Sequence, residues 1–538
     1  MATLYLVGKK SHATRLLIRN LPIATFLAPS LARSPVLILR HSSSSTTTTK
    51  RNEDKFNYNT SIDFEQEPDH DHVNWRRVTA ADLVSRKEPP KRVKMLVRDF
   101  IDDSLYNPNY GYFSKNATIF TLPKEGFDFS SFGNQAHFQE AVAERYEKEY
   151  GIESMNGPQG GLGRQVWHTP TELFKPYYAR SLIMAILQSY KLNHFPSEPL
   201  IIYEIGAGNG SFMVDSLTYL RDYHPQIYAR TQYRIVEISA ALAKGQKERV
   251  EREGFGKKVQ VLNKDFFKWD GMGGDNQPCF VVALEVFDNF AHDMVRYEID
   301  SLRPCQAVVG IDASGDFSLL YEPLIDPLIA RVMSYRHLIP PSPSTLPPLS
   351  GPLIWSQKLR RLYAALPFAP NLTKPDYIPT KAILFAEKLR EILPGHRLLI
   401  ADFNELPDAL DGRNGPVVQT RYGKSMVSCE TFLVKQGYFD IFFPTDFEHF
   451  RDVYSVIMNS PIITPSSISL PPPSSSNFER DFFSHSVGVK GFRRREVKIY
   501  SHGDFLKQFG GKEVLERTKV RDGGNVMLGM YKNAKMMF

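Results

Sequence analysis

Four short apolar runs alternate with stretches of helical spacing in the middle of the chain. The runs fall at 199–204, 233–237, 259–262 and 279–284. Runs of this length suit strands buried on both faces. After the first, Met213, Leu217 and Leu220 recur at helical spacing, and a second helix is predicted over 239–253. Strands alternating with helices imply an α/β domain, a doubly wound, mostly parallel sheet covered on both sides. Upstream, the spacing predicts a helix over 94–106, with Met95, Leu96, Phe100 and Leu105 on one face. Asn107-Pro108-Asn109 ends it with turn chemistry. Further helices are predicted over 134–150 and 177–190, with a Gly-rich loop at 156–163. Downstream, 396–403 and 440–443 read as further strands of the same domain, and no internal repeat is visible.

Composition adds a boundary. The chain has 538 residues, 42% hydrophobic and 12% aromatic, which suits a folded catalytic domain with additions. Its formal charge of +7 is unevenly placed. Residues 1–51 hold eight Lys or Arg and no Asp or Glu, and the remainder holds 58 basic against 59 acidic residues. The body thus lacks the basic surplus that nucleic-acid binding uses, so no nucleic-acid partner is expected. The acid-free, Arg- and Ser/Thr-rich start, with clusters such as Leu16-Leu17-Ile18, reads as a transit peptide and linker over 1–51. Composition leaves open whether the address is mitochondrial or plastid. The apolar stretch 21–39 is broken by Pro22, Pro29, Arg33 and Pro35, so no integral membrane segment is expected. Cys279, Cys305 and Cys429 form no CxxC pair, and no metal site is expected.

The candidate chemistry centres on Glu204-Ile205-Gly206-Ala207-Gly208-Asn209-Gly210. A buried strand delivers the backbone to a turn in which Gly206, Gly208 and Gly210 let a ligand approach the main chain. The next helix offers free N–H groups at its start. A dinucleotide turn is G-x-G-x-x-G. Here the spacing is G-x-G-x-G, and Ser211 stands where the third dinucleotide glycine would be. Glu204 would repel a pyrophosphate but can hold an ammonium group. Glu237, at the end of the next strand, can accept ribose hydroxyls, and Asp265 lies where an adenine amino group could be read. Together these acids select S-adenosyl-L-methionine as cofactor.

At this point the sequence resembles the MidA-type methyltransferases, the mitochondrial family of complex I assembly-factor arginine methyltransferases. The resemblance rests on Asn107-Pro108-Asn109-Tyr110-Gly111-Tyr112-Phe113, Thr169-Pro170-Thr171-Glu172, the turn at 204–210 and Glu285-Val286-Phe287-Asp288. It continues through 396–403 and Gly437-Tyr438-Phe439-Asp440-Ile441, a spread of about 360 residues. It implies a class I S-adenosylmethionine-dependent methyltransferase fold with N-terminal helical additions, a matrix location, and symmetric dimethylation of an arginine in a respiratory complex I subunit, supporting complex I assembly. The chain departs from the family pattern at 164–180, where Gln165-Val166-Trp167-His168 precedes Thr169 and Leu173-Phe174-Lys175-Pro176 follows Glu172.

The expected organisation is a polar extension at 52–92, a methyltransferase domain at 93–459 with a Pro/Ser-rich insertion at 337–352, a Pro/Ser-rich linker or insertion at 460–486, and a segment at 487–538 packing on the body. Methyl transfer needs a nucleophile aligned with the methyl group and shielded from water. For a guanidinium, carboxylates can orient it by bidentate hydrogen bonds. Glu285 and Asp288, just past a strand end, are the candidate catalytic pair. The plainer alternative makes Asp288 a helix cap and Glu285 a structural ion-pair partner. His168 as a base, and Tyr110 and Tyr112 as a lid, are weaker candidates than structural roles. Two other functions stay open: a non-catalytic methyltransferase-fold assembly factor and a nicotinamide-dependent oxidoreductase, the latter disfavoured by Ser211 and Glu204. A homodimer is compatible with the sequence but not specified by it.

Overall fold

The computed structural model describes residues 72–538 except 116–117, 120–125, 151–165, 168, 273–276, 423–424 and 460–495. The expected transit peptide, the 460–486 segment and His168 lie outside the described residues.

Among the described residues, the apolar runs form a seven-stranded sheet. Its strands are β1 (Ile201–Ile205), β2 (Gln232–Glu237), β3 (Val259–Asn263), β4 (Cys279–Leu284), β5 (His396–Phe403), β6 (Ile499–Ser501) and β7 (Ala534–Met537). Their order is β3-β2-β1-β4-β5-β7-β6. Strands β3 to β5 are parallel, whereas β7 runs antiparallel to both β5 and β6.

Helices cover both faces, as a parallel sheet requires. Helices α1 (Tyr177–Asn193), α2 (Ser211–Tyr223) and α3 (Ala240–Arg252) follow in chain order, then α4 (Thr380–Ile392), α5 (Phe447–Asn459) and α6 (His502–Phe509). One core joins Ile186 of α1, Leu217 of α2 and Phe505 of α6 to Ile202 and Val282. The opposite core joins Leu389 of α4 and Val453 of α5 to Tyr203, Ile205 and Val281. The period-two alternation of β1 puts Glu204 on the Ile202 side.

Three expectations needed correction. The helix predicted over 94–106 is a strand, Val93–Leu96, followed by a helix, Val97–Tyr106. The strand forms because Val93–Leu96 pairs antiparallel with Val308–Ile311, and tertiary pairing outweighs local spacing. The run at 440–443 is not in the main sheet. Asp440–Phe442 pairs instead with Val417–Tyr422 in a three-stranded sheet. The C-terminal segment does more than pack on the body, since β6 and β7 complete the main sheet.

Between β4 and β5 the chain builds a second, largely antiparallel sheet from Asp293–Tyr297, Pro304–Ile311, Phe317–Pro323 and Asp376–Ile378. Val93–Leu96 and Arg76–Arg77 join it. The Pro/Ser-rich stretch 337–352 follows the helix Pro327–Tyr335 as irregular backbone and turns until a helix begins at Gly351. Among the described residues no helix is long and apolar enough to cross a membrane.

Candidate functional site

The glycine turn leaves β1 at the edge where strands β1 to β5 all end. Gly206 has φ 66° and Gly210 φ 73°, both in the left-handed region that side chains avoid. A Cβ on Gly206 would meet Val286 Cγ2 at 3.1 Å. Gly210 is also the N-cap of α2 and supplies no side-chain cap, so the helix start stays available to a ligand.

Helix α3 braces this turn from beside it. Gln246 Nε2 donates to Gly208 O at 2.8 Å and to Glu237 Oε2 at 3.0 Å. Arg249 Nη1 donates to Asn209 O and to Ser211 Oγ, both at 2.8 Å. Gln246 and Arg249 were not singled out from the sequence.

The three sequence-predicted acids fall along one edge. Glu204 is buried, and Oε2 accepts the Tyr233 hydroxyl at 2.7 Å. Burial, with the nearby Glu237 charge adding, pushes its carboxyl up to about 8 despite that hydrogen bond. Glu237 ends β2, and its Oε1 accepts Ser239 N at 2.9 Å. Burial raises its pKa too, against the hydrogen bonds from Ser239 and Gln246. Asp265, two residues beyond β3, is half-buried and caps a short turn by accepting Phe267 N at 2.9 Å. Strands β1, β2 and β3 are neighbours, so the structure places the glycine turn, Glu237 and Asp265 in sequence along one rim. Gly206 N and Gly210 N donate to Val236 O at 3.0 Å and Ala207 O at 2.8 Å, so what the turn offers is close approach to the main chain, and with successive carboxylates beside it this suits a ligand with an ammonium group, a ribose and a purine.

The fourth and fifth strands carry the other pair. Glu285 follows β4 with φ 54°, a conformation non-glycine residues adopt at a cost and that clusters at functional sites. Its N–H donates to Ala401 O at 2.9 Å. Its carboxylate is buried, and Oε2 has no hydrogen-bond partner among the described residues. Burial, with the Asp402 charge adding, raises Glu285 to about 8. Asp288 is fully buried, and its carbonyl accepts Phe443 N at 2.7 Å. Neither plainer alternative is seen among the described residues. The next element after Asp288 is the strand Asp293–Tyr297, and Glu285 makes no ion pair with a described residue. Asp402, the penultimate residue of β5, ties this loop down: Oδ2 accepts Phe287 N at 2.8 Å and Asp288 N at 3.2 Å. The sequence reading contained Asp402 but gave it no role.

The remaining motif segments support this rim. Thr169 caps a short helix by accepting Glu172 N at 3.2 Å, with Pro170 at its first position. Glu172 is buried, pairs with Lys175 Nζ at 2.9 Å and accepts the Ser211 hydroxyl. The 107–113 segment is architectural. Tyr110 OH donates to Asp103 at 2.8 Å, and a Cβ on Gly437 would fall 1.7 Å from Tyr110 O. Tyr110 and Tyr112 are both buried.

Five parallel strands in the order 3-2-1-4-5, a reversed seventh strand between the fifth and sixth, and a glycine turn after the first define a class I methyltransferase. Residues 182–463, just over half of the chain, match the family described as "Putative S-adenosyl-L-methionine-dependent methyltransferase". The chain therefore belongs to this family, the MidA-type methyltransferases, and its cofactor is S-adenosyl-L-methionine. A relative from Schizosaccharomyces pombe, named "Protein arginine methyltransferase NDUFAF7 homolog, mitochondrial", is 25% identical over 334 residues, covering 60% of this chain and 67% of the relative. A superfamily member from Burkholderia thailandensis, solved bound to S-adenosyl-homocysteine, is 14% identical with a TM-score of 0.42, covering 85% of this chain and 89% of that one. A native structure from the same organism gives 14% identity and a TM-score of 0.41 over the same shares.

Proposed function

We propose that this chain is a mitochondrial matrix protein arginine methyltransferase that symmetrically dimethylates an arginine of a complex I subunit and so supports complex I assembly. The carrying observation is Glu285, a buried carboxylate with an oxygen that has no partner among the described residues, held at a positive φ on the rim beside the cofactor turn. The name of the yeast relative supports arginine as acceptor and the mitochondrion as location. The acid-free start of the chain supports the same location.

In this reading Gly206, Gly208 and Gly210 give the cofactor backbone access, Glu204 holds its ammonium group, Glu237 its ribose and Asp265 its adenine. When bound, S-adenosyl-L-methionine supplies a methyl group on a sulfonium. Glu285 and Asp288 orient the acceptor guanidinium through charge-assisted hydrogen bonds. The arriving guanidinium favours the ionised form of Glu285, whose proton leaves to solvent on binding, and Glu285 Oε2 then takes the proton that the methylated nitrogen loses, a role suited to a carboxyl raised to about 8 in the empty site. Asp402 keeps the loop in place, and burial of the site excludes water.

Mass spectrometry of complex I subunits tests this reading. Arginine dimethylation should vanish in cells lacking the chain and in cells carrying only Glu285→Gln. Normal methylation in the deletion would remove the enzyme assignment. Normal methylation in the substituted cells alone would remove Glu285 from catalysis.

A further inference from the structure

His502 opens α6, in the C-terminal segment beyond the family match. Its ring is buried, and neither ring nitrogen has a hydrogen-bond partner among the described residues. A buried polar atom without a partner costs about 1–3 kcal/mol, so two on one ring call for a reason.

The neighbours of the ring supply one. Tyr178 of α1 stacks on His502 with centroids 5.6 Å apart and planes 20° apart. Tyr531 lies against it at 5.6 Å and 49°. Tyr531 also touches Phe403, which adjoins Asp402, at 6.0 Å. Phe403 lies two residues beyond Ala401, whose carbonyl accepts the Glu285 N–H at 2.9 Å, so the cluster packs on the strand that borders Glu285; both tyrosine hydroxyls are pushed up mainly by burial, with the Glu285 charge adding. Burial lowers His502 to about 3, so its ring is neutral at working pH and keeps one acceptor nitrogen.

A neutral imidazole acceptor, two aromatic rings and an unpartnered carboxylate oxygen share one chemical complement. It is planar, cationic, rich in N–H donors and free of acceptors. A guanidinium has these properties, and it stacks on aromatic faces as an ammonium does not. We infer that Tyr178, His502 and Tyr531 form the acceptor pocket that seats a guanidinium against Glu285 and selects arginine over lysine. This rests on the arginine methyltransferase reading and adds the residues that set its specificity. None of the three lies within 182–463, so the wall comes from segments outside the family match.

The test uses the full chain with S-adenosylhomocysteine bound and its 14 histidines isotopically labelled on the ring. The His502 resonance is the one lost in His502→Phe. Tyr531→Leu, which alters the ring current on His502, identifies it independently if the first variant does not fold. N-acetyl-arginine amide should shift that resonance saturably, and N-acetyl-lysine amide should do so at least tenfold more weakly. His502→Phe or Tyr531→Leu should weaken the arginine compound several-fold while S-adenosylhomocysteine affinity stays within twofold. An unresponsive His502, equal responses to the two amides, or unchanged arginine affinity in the variants overturns the pocket. Arginine-selective shifts in a chain that methylates nothing would uphold the pocket and count only against the enzyme reading. Methylation with an unresponsive His502 would do the reverse.

Discussion

Asp402 Oδ2 accepts the Phe287 N–H at 2.8 Å and so joins the end of β5 to the loop that carries Glu285. The same carboxylate accepts the N–H groups of Asp288 and Phe403. Asp402→Ala leaves these buried donors without an acceptor, and a loss of about 1–3 kcal/mol is expected. Methyl transfer should fall further than stability does, because Glu285 would lose its fixed position. Urea denaturation alongside a transfer assay checks both, and an unchanged urea midpoint would rule out the bracing role.

Glu285 should make the chain more stable in acid than in mild base. Burial raises its folded pKa to about 8, so the folded chain keeps a proton that the unfolded chain releases near the ordinary carboxylate value. The associated stability is complete below about pH 4 and is lost as pH rises to about 8, at up to about 1.4 kcal/mol per pH unit. Glu285→Gln cannot ionise. It should melt with the parent at pH 4, melt several degrees higher at pH 8, and be inactive. Coincident melting curves at both pH values would show that Glu285 is not buried as described.

Glu204 links cofactor binding to pH in the opposite sense, with binding strengthening as pH rises toward about 8. Its carboxyl, raised to about 8 by burial, is largely protonated at pH 7, and an arriving ammonium group favours the ionised form. S-adenosyl-L-methionine binding at pH 7 should release close to one proton, read by calorimetry in two buffers of different ionisation enthalpy. Glu204→Gln should abolish that release and weaken binding at least tenfold. Release that persists in Glu204→Gln would assign the proton elsewhere.

Ser211 distinguishes this turn from a dinucleotide turn by what its hydroxyl does. It donates to Glu172 and accepts from Arg249 at 2.8 Å. Ser211→Gly restores the dinucleotide spacing but removes both bonds. A stability loss of about 1–2 kcal/mol is expected, with weaker S-adenosyl-L-methionine binding and no gain of NADH binding by fluorescence. Tight NADH binding by the variant would mean that spacing alone sets the ligand.

The parallel half of the sheet was legible because β1, β2 and β4 are uninterrupted or nearly uninterrupted apolar runs, and an acid or glycine marks where each ends. Glu204, Glu237 and Glu285 were found that way. Strands that form by pairing rather than pattern were missed. Val93–Leu96 shares its apolar residues with the following helix, and only its partner Val308–Ile311 makes it a strand. Ile499–Ser501 and Ala534–Met537 are short and pair with each other, and Ala534–Met537 pairs with β5, across long separations. Asp402, Gln246 and Arg249 escaped for a related reason. Each acts on backbone groups far away in sequence, and a lone polar residue carries no spacing that reveals such a bond. His502 reads as an ordinary helix-start residue until Tyr178 and Tyr531 are seen beside it.

The most direct measurement combines the purified chain, S-adenosyl-L-methionine with a deuterated methyl group, and mitochondrial protein extracted from cells lacking the chain. Peptide mass spectrometry should find deuterated methyl groups on one arginine of a complex I subunit. The label should appear with the parent chain and be absent with Glu285→Gln. No labelled arginine with a parent chain that binds the cofactor, or equal labelling by Glu285→Gln, would contradict the assignment of arginine methyl transfer to this site.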